Sequence, residues 1–230
     1  MISLEQAMEQ RHAVRSFEDR PLAAEHVAQL RELIDTINEE SWLDIKLVLD
    51  EPEALSSFMA RRVGFRNACS YLAMIGPDGK ELDNAVGYYG EQLVLLAQQL
   101  GINSCWVGGT YKHVDRAYNV DFGEALKLII VLGYGTDQGT PHKSKTPEQI
   151  CPDYATMPAW FQRGVDAALL APTALNQQKF SFKLGRKLDD GTWEVIPKTK
   201  RGAYTKVDLG IAKYHFEIGA GAAAPFRFKE

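Results

Sequence analysis

Four short segments of this chain hold the residue types from which a ligand site can be built. Arg11-His12-Ala13-Val14-Arg15-Ser16-Phe17 carries two arginines four apart. On a helix end that spacing puts both guanidinium groups on one face, and paired guanidinium forks suit bidentate capture of a phosphate. The same residues can also form a solvated basic turn paired with Glu18 and Asp19. His142-Lys143-Ser144-Lys145-Thr146-Pro147 directly follows a buried strand, where α/β folds place ligands. Lys143 and Lys145 could close on an anion there, or could simply be solvated. Two separate basic clusters in an acidic chain point to one bound anionic group. Cys105-Trp106-Val107-Gly108-Gly109-Thr110 sets a glycine pair after an apolar strand-like stretch, which lets backbone approach a ligand closely or makes a tight turn. Ala171-Pro172-Thr173-Ala174-Leu175-Asn176-Gln177-Gln178 packs a hydroxyl and three side-chain amides into one loop between a helix and a strand. It is either a dense set of donors and acceptors at a natural binding position or a polar surface loop.

Other chemistries lack their machinery. Gly133-Tyr134-Gly135 follows a strand without the third glycine of a dinucleotide fingerprint, and Pro141 falls where its helix should begin. The five histidines (12, 26, 113, 142 and 215) show no pair at metal-ligand spacing. Neither a G-x-S-x-G nor a P-loop occurs, so hydrolysis and phosphoryl transfer are not expected.

The elements that must position these segments follow from periodicity. Residues 3–12 read as a short amphipathic helix, and 23–40 as a clear one, with Val27, Leu30, Leu33, Ile34 and Ile37 at intervals of three and four. Ile45 to Leu49, Tyr71 to Ile75 and Leu126 to Leu132 read as strands. Residues 84–100 are apolar on more than one face, which predicts a central helix closed by Gly101. Gly133 to Pro152 has no period and reads as loop or linker. A second, shorter module then follows: a helix over 158–170, strands at Phe180 to Leu184 and Thr192 to Ile196 across an Asp-Asp-Gly turn, and a helix over 207–222. Both modules run helix, loop, strand, turn, strand, helix, which points to a weak internal duplication or to helix periodicity that imitates one.

Composition sets the outer bounds. With 230 residues, 45% of them hydrophobic and a net charge of −4, the chain is an ordinary globular protein without the basic surface that nucleic acid or an anionic membrane requires. Its apolar runs reach five residues, as at Leu128 to Leu132, and are too short to span a bilayer. Met1 leads into the polar helix start Ser3-Leu4-Glu5-Gln6 rather than a basic n-region and an apolar h-region. Cys69, Cys105 and Cys151 are odd in number and widely spaced, which fits reduced thiols. A cytoplasmic setting is therefore expected.

In this order the four segments resemble the FMN-dependent nitroreductase family. Arg11, Arg15 and Phe17 match its opening R-x-[ST]-x-[RK]-x-[FY]. Gly101 to Gly109 match G-[LI]-x-[ST]-C-W-[IV]-G-G almost throughout. Gly133-Tyr134-Gly135 with Lys143 and Lys145 match its G-Y-[PG] strand end and basic loop, and Ala171, Pro172, Thr173, Asn176 and Gln178 match its A-P-S-x-x-N-x-Q loop. In ordinary members that last loop follows the first long helix, where this chain has Asn38-Glu39-Glu40-Ser41-Trp42. Those members are dimers that build each site from both subunits. The chain is thus similar to the TM nitroreductase branch, in which both halves lie on one polypeptide.

The resemblance implies an α+β, nitroreductase-like fold with a mixed, mostly antiparallel sheet flanked by helices. Its two half-modules, 1–150 and 151–230, would form one pseudo-dimer. It implies one FMN held by Arg11, His12, Arg15, Gly108, Gly109, Lys143, Lys145, Pro172, Thr173, Ala174 and Asn176, with the Gly108 backbone near flavin N5. NADH or NADPH would reduce the flavin and a small acceptor, such as a nitro compound or a quinone, would reoxidise it in a ping-pong cycle. No side chain is required as a catalytic base, and a monomer is expected, with a weak homodimer as the alternative. The departures are Ala13 for the usual Ser/Thr, and Lys179-Phe180 for Pro-Trp. A flavin-binding module without turnover, a same-fold flavoenzyme with other chemistry, and a purely structural domain are the alternatives.

Overall fold

The sheet that carries the first half is buried on both faces. In the structure, a computed structural model describing residues 1–229, β2 (Ser70–Pro77) pairs antiparallel with β1 (Lys46–Val48) and with β4 (Glu124–Gly133). β4 pairs antiparallel with β3 (Asn103–Val107), giving the order β1-β2-β4-β3. Side chains alternate along each strand. Leu72, Met74, Leu128, Ile130 and Leu132 face one apolar cluster, while Tyr71, Ala73, Ile75, Ile129 and Val131 face another. Such two-sided burial explains why these strands read as unbroken apolar runs.

The helical face of that sheet is covered by α2 (Ala24–Glu40) and α4 (Leu82–Gln99). α1 (Leu4–Gln10), opened by a capping box between Ser3 and Gln6, packs on α4 and on α7 (Thr205–Ala220). The remaining helices of the first 150 residues are short: α3 (Phe58–Arg62) and α5 (Pro147–Ile150). The second half adds α6 (Ala159–Ala168) and a separate three-stranded sheet of β5 (Phe180–Lys187), β6 (Trp193–Thr199) and β7 (Phe226–Phe228). β5 and β6 form an antiparallel hairpin, and β7 joins β6 in parallel. Aromatic rings fill this half, with Phe216 stacked on Phe182 at 4.7 Å and edge-on to Phe161 at 5.1 Å.

α4 and α7 cross at the centre through two glycines. A Cβ built on Gly87 would lie 2.1 Å from the Val207 carbonyl oxygen and 3.0 Å from the Ile211 nitrogen; one on Gly210 would lie 2.1 Å from the Asn84 oxygen and 2.8 Å from the Tyr88 nitrogen. Each glycine therefore meets the residues three before and one after the other. That reciprocity is the contact pattern of an isologous interface.

Several boundaries differ from those periodicity predicts. Strands extend beyond their apolar cores because edge residues such as Glu124 and Thr199 still complete ladder bonds. α3, α5 and β7 are not anticipated, since three to five residues are too few to show a period. α5 corrects the reading of 133–152 as loop throughout: Thr146 and Gln149 form a capping box with Pro147 in the first turn. Arg11–Phe17 is also not a helix end. It leaves α1 as extended backbone, bridging Ala13 to Ser104 and Phe17 to Gly135.

Candidate functional site

The extended run after α1 is held on both sides. Val14 N–H donates to the Ser104 carbonyl at 3.1 Å, Phe17 N–H to that of Arg66 at 3.1 Å, and Arg66 N–H to that of Arg15 at 3.0 Å. Extended backbone turns alternate side chains to opposite sides. Val14 packs inward, while Arg11, Ala13 and Arg15 line one cavity. The even spacing of the arginines puts them on one side here by the period of two. Arg15 forms no ion pair among the described residues, and Glu18 pairs with Arg20 instead.

Facing these arginines is the loop that follows α6. Pro172, Thr173, Ala174 and Leu175 line the same cavity as Arg11 and Arg15, together with Cys105 to Gly108 at the end of β3 and Tyr204, Val207, Asp208 and Ile211 at the start of α7. This inner lobe, of about 160 Å³, adjoins an outer lobe of about 350 Å³ that adds His12, Thr140, His142 and Asn176. The loop is strained, with positive φ at Leu175, Asn176 and Gln178 (54°, 52° and 43°), and Leu175 is left 99% exposed at the mouth. Backbone in this region persists only where the surroundings fix it. Asp208 does so from below, its carboxylate accepting from Ala174 N–H at 2.9 Å and from Gln177 Nε2 at 2.8 Å. From the side, the Lys143 carbonyl accepts from Asn176 Nδ2 and Gln178 Nε2, and Lys145 donates to Gln178 through its N–H and its Nζ.

Burial dominates the electrostatics. Arg11 is only 4% exposed, and desolvation lowers its pKa against the opposing pull of Glu91. Its Nε makes no hydrogen bond although it is fully enclosed. Burial also raises the Cys105 thiol beside it. His12 is lowered by burial and then by Arg11 and His142. Asp208, 3% exposed, is pushed by burial up to about 6. The cavity thus combines two arginines, one of them incompletely satisfied, with apolar walls and a single buried acid.

The sequence matches the model of a family described as "Putative TM nitroreductase" over residues 3–220. The chain belongs to this family. Among solved structures it is similar to a protein described as a putative nitroreductase from Thermotoga maritima, at 24% identity and a TM-score of 0.65, over 94% of this chain and 82% of that one. A nitroreductase family protein from Streptococcus pneumoniae aligns at 15% identity and a TM-score of 0.51, over 64% of this chain and 98% of that one. Nitroreductase A from Vibrio parahaemolyticus aligns at 17% identity and a TM-score of 0.50, over 65% of this chain and 75% of that one. These likenesses confirm the nitroreductase-like fold, and the family places the chain among oxidoreductases. No curated protein matches the sequence. Among the described residues no helix is long and apolar enough to cross a membrane.

Of the family-type site residues, Arg11, Arg15, Gly108, Pro172, Thr173 and Ala174 line the inner lobe; His12 and Asn176 line the outer one. Gly109 adjoins Gly108, with its open side 3.8 Å from the Tyr204 hydroxyl. Lys143 and Lys145 line neither lobe. The Lys143 carbonyl and Lys145 prop the 171–178 loop, and Asn176 spends its side-chain amide on that same framework through Lys143 and Gln178. The sequence reading also missed Tyr204 and Asp208. The Tyr204 ring packs on Gly108, where a Cβ would fall 2.3 Å from it, and its hydroxyl donates to the Gly108 carbonyl. Asp208 could have been found as an acid in the first turn of α7 between the apolar Val207 and Leu209. Tyr204 carries no such signal, because its left-handed backbone (φ 59°) ahead of α7 is set by tertiary packing.

Proposed function

We propose that this chain is an FMN-dependent oxidoreductase that takes electrons from NADH or NADPH and delivers them to small acceptors such as nitro compounds or quinones. One observation carries the proposal: arginines from the first seventeen residues and the polar loop from the second half line the same cavity. The residues fit a flavin mononucleotide. Arg11 keeps a buried Nε without a hydrogen bond, and Arg15 has no ion pair among the described residues, so the phosphate end has two cations to meet. Val107, Leu128, Pro172 and Ile211 form an apolar wall that suits a flat aromatic ring, with the Gly108 backbone and its Tyr204 partner at the edge.

When bound, the flavin supplies the two-electron chemistry, accepting a hydride equivalent from the nicotinamide and passing electrons to the acceptor. The chain's own residues do the rest. Arg11 and Arg15 neutralise the phosphate, and Gly108 with Pro172 to Ala174 bounds the ring. Asp208 fixes the loop by its bonds to Ala174 and Gln177, and the exposed Leu175 borders the entrance that donor and acceptor would share.

The same proposal reads residues 1–150 and 151–230 as the two halves of a pseudo-dimer that retains one composite site and works as a monomer in the cytoplasm. The reciprocal Gly87–Gly210 crossing supports it, as does the alignment of about two thirds of this chain with nearly all of the Streptococcus pneumoniae protein. Purification with added FMN, followed by anaerobic addition of NADH or NADPH, tests the reading. Flavin absorption that bleaches and returns on adding a quinone or nitro compound is expected. Bound flavin that stays oxidised would indicate a binding module, and a protein that takes up no FMN would overturn the reading altogether.

A further inference from the structure

Beneath the cavity lies a buried polar cluster that flavin binding alone does not explain. Glu91 of α4 and His215 of α7 are both 0% exposed. Glu91 Oε2 accepts from the Trp106 indole N–H at 3.1 Å, and its Oε1 faces His215 Nε2 at 2.9 Å. The same Oε1 lies 3.8 Å from Arg11 Nε. The other ring nitrogen, His215 Nδ1, lies 3.2 Å from the Ala167 carbonyl oxygen.

The donors and acceptors fix how many protons this cluster holds. A backbone carbonyl only accepts, so Nδ1 carries a proton. Nε2 faces a carboxylate oxygen, and two lone pairs in contact without water would be strongly unfavourable. A second proton therefore lies between Nε2 and Oε1, nearer one or the other. Whether the pair is imidazolium and carboxylate or imidazole and carboxylic acid, its net charge is zero. Arg11 then contributes one uncompensated positive charge. The other titratable neighbours do not cancel it. The Cys105 thiol and the Tyr214 hydroxyl are both pushed upward, chiefly by burial, and so stay neutral, while Arg15 adds charge of the same sign. Asp208 lines the same cavity, is tied to Ala174 and Gln177, and is not among the charges that act on Arg11.

We infer that His215 is a positioning residue for the anion site: the proton it shares with Glu91 stops that carboxylate from neutralising Arg11, leaving the guanidinium charge for a phosphate monoester. This inference rests on the flavin reading above. Without the histidine, a bare buried Glu91 would have Arg11 as its nearest cation, and the two would close into an ion pair with no charge to spare.

Binding of FMN and of riboflavin, which lacks the phosphate, provides the test, using flavin fluorescence on the apoprotein. The wild type should bind FMN at least about tenfold more tightly than riboflavin. His215→Leu should lose roughly tenfold in FMN affinity and less than about twofold in riboflavin affinity. Adding Glu91→Gln to His215→Leu removes the stranded carboxylate and should restore FMN binding to within about threefold of wild type. A wild type that binds neither flavin overturns the flavin reading itself, and one that binds both alike overturns the phosphate role of Arg11 and with it this inference. A wild type that discriminates, joined by a His215→Leu variant that discriminates equally or is not rescued by Glu91→Gln, overturns only the role of His215. Should the leucine variant not fold, nitrogen-15 NMR of the histidines in the wild-type apoprotein decides. The buried ring should show a protonated Nδ1 and an Nε2 sharing a proton, whereas a bare nitrogen on either side refutes the inference.

Discussion

Replacing Asp208 with asparagine separates the two things this carboxylate does, holding the 171–178 loop and titrating. In the native protein burial raises its pKa from 3.8 to about 6, against opposing hydrogen bonds from Ala174 and Gln177 and the charge of Lys179. A folded value above the unfolded one means that the native state binds the proton more tightly. The stability this supplies is full below about pH 4 and is lost as pH rises through about 6. A shift of about two units at 1.36 kcal/mol per unit amounts to roughly 3 kcal/mol. Asparagine keeps an oxygen for Ala174 N–H, and the Gln177 amide can turn to present its own oxygen, so most of the loop framework survives. The stability of Asp208→Asn relative to wild type should therefore climb by roughly 3 kcal/mol between pH 4 and pH 8. Urea denaturation of both proteins across that range measures the difference directly, with other titrating groups cancelling. A difference that stays constant with pH would show that the carboxylate is not desolvated and would refute the reasoning.

Other expectations follow from single contacts. Gly87→Ala puts a methyl 2.1 Å from the Val207 oxygen, where only backbone can yield, and should cost about 3 kcal/mol or more in a denaturant titration. Combining it with Gly210→Ala should cost less than the sum, because both changes pry apart one crossing. Arg15→Ala should weaken FMN binding by about 10- to 100-fold while leaving riboflavin nearly unaffected, as the loss of a charge-assisted phosphate contact would. Lys143→Ala should change FMN affinity by less than about twofold, since the loop uses its carbonyl rather than its amine. Gly108→Ala should lower the melting temperature by displacing the Tyr204 ring, and a second change of Tyr204→Ala should restore most of the loss.

Much of this was legible in the sequence where the signal is local. The runs at Tyr71 to Ile75 and Leu126 to Leu132 are strands because a sheet buried on both faces selects apolar residues at every position. Leu82–Gln99 is a helix for the same reason, with burial on several sides. Complementary motifs, arginines in one half and the polar loop in the other, were also visible, and the structure brings them to one cavity. What escaped depends on distant partners. The extended form of Arg11–Phe17 is imposed by Ser104 and Arg66, and a spacing of four gives the same face in either geometry. That Lys145 and the Lys143 carbonyl also support the 171–178 loop depends on Asn176 and Gln178, more than thirty residues away. Glu91 and His215 lie 124 residues apart, and neither helix announces that the other's side chain will meet it.

The cavity also dictates when the protein can first take up its ligand. Its walls come from residues 11–15, 105–108, 172–175 and 204–211, so no growing chain possesses the site until α7 has been synthesised and has crossed α4. Folding proceeds from the N-terminus during synthesis, and contacts this distant in sequence form late. Loading of the ligand is thus a late event, because a chain truncated before Thr205 has both cavity arginines but lacks the wall that Val207, Asp208 and Ile211 supply.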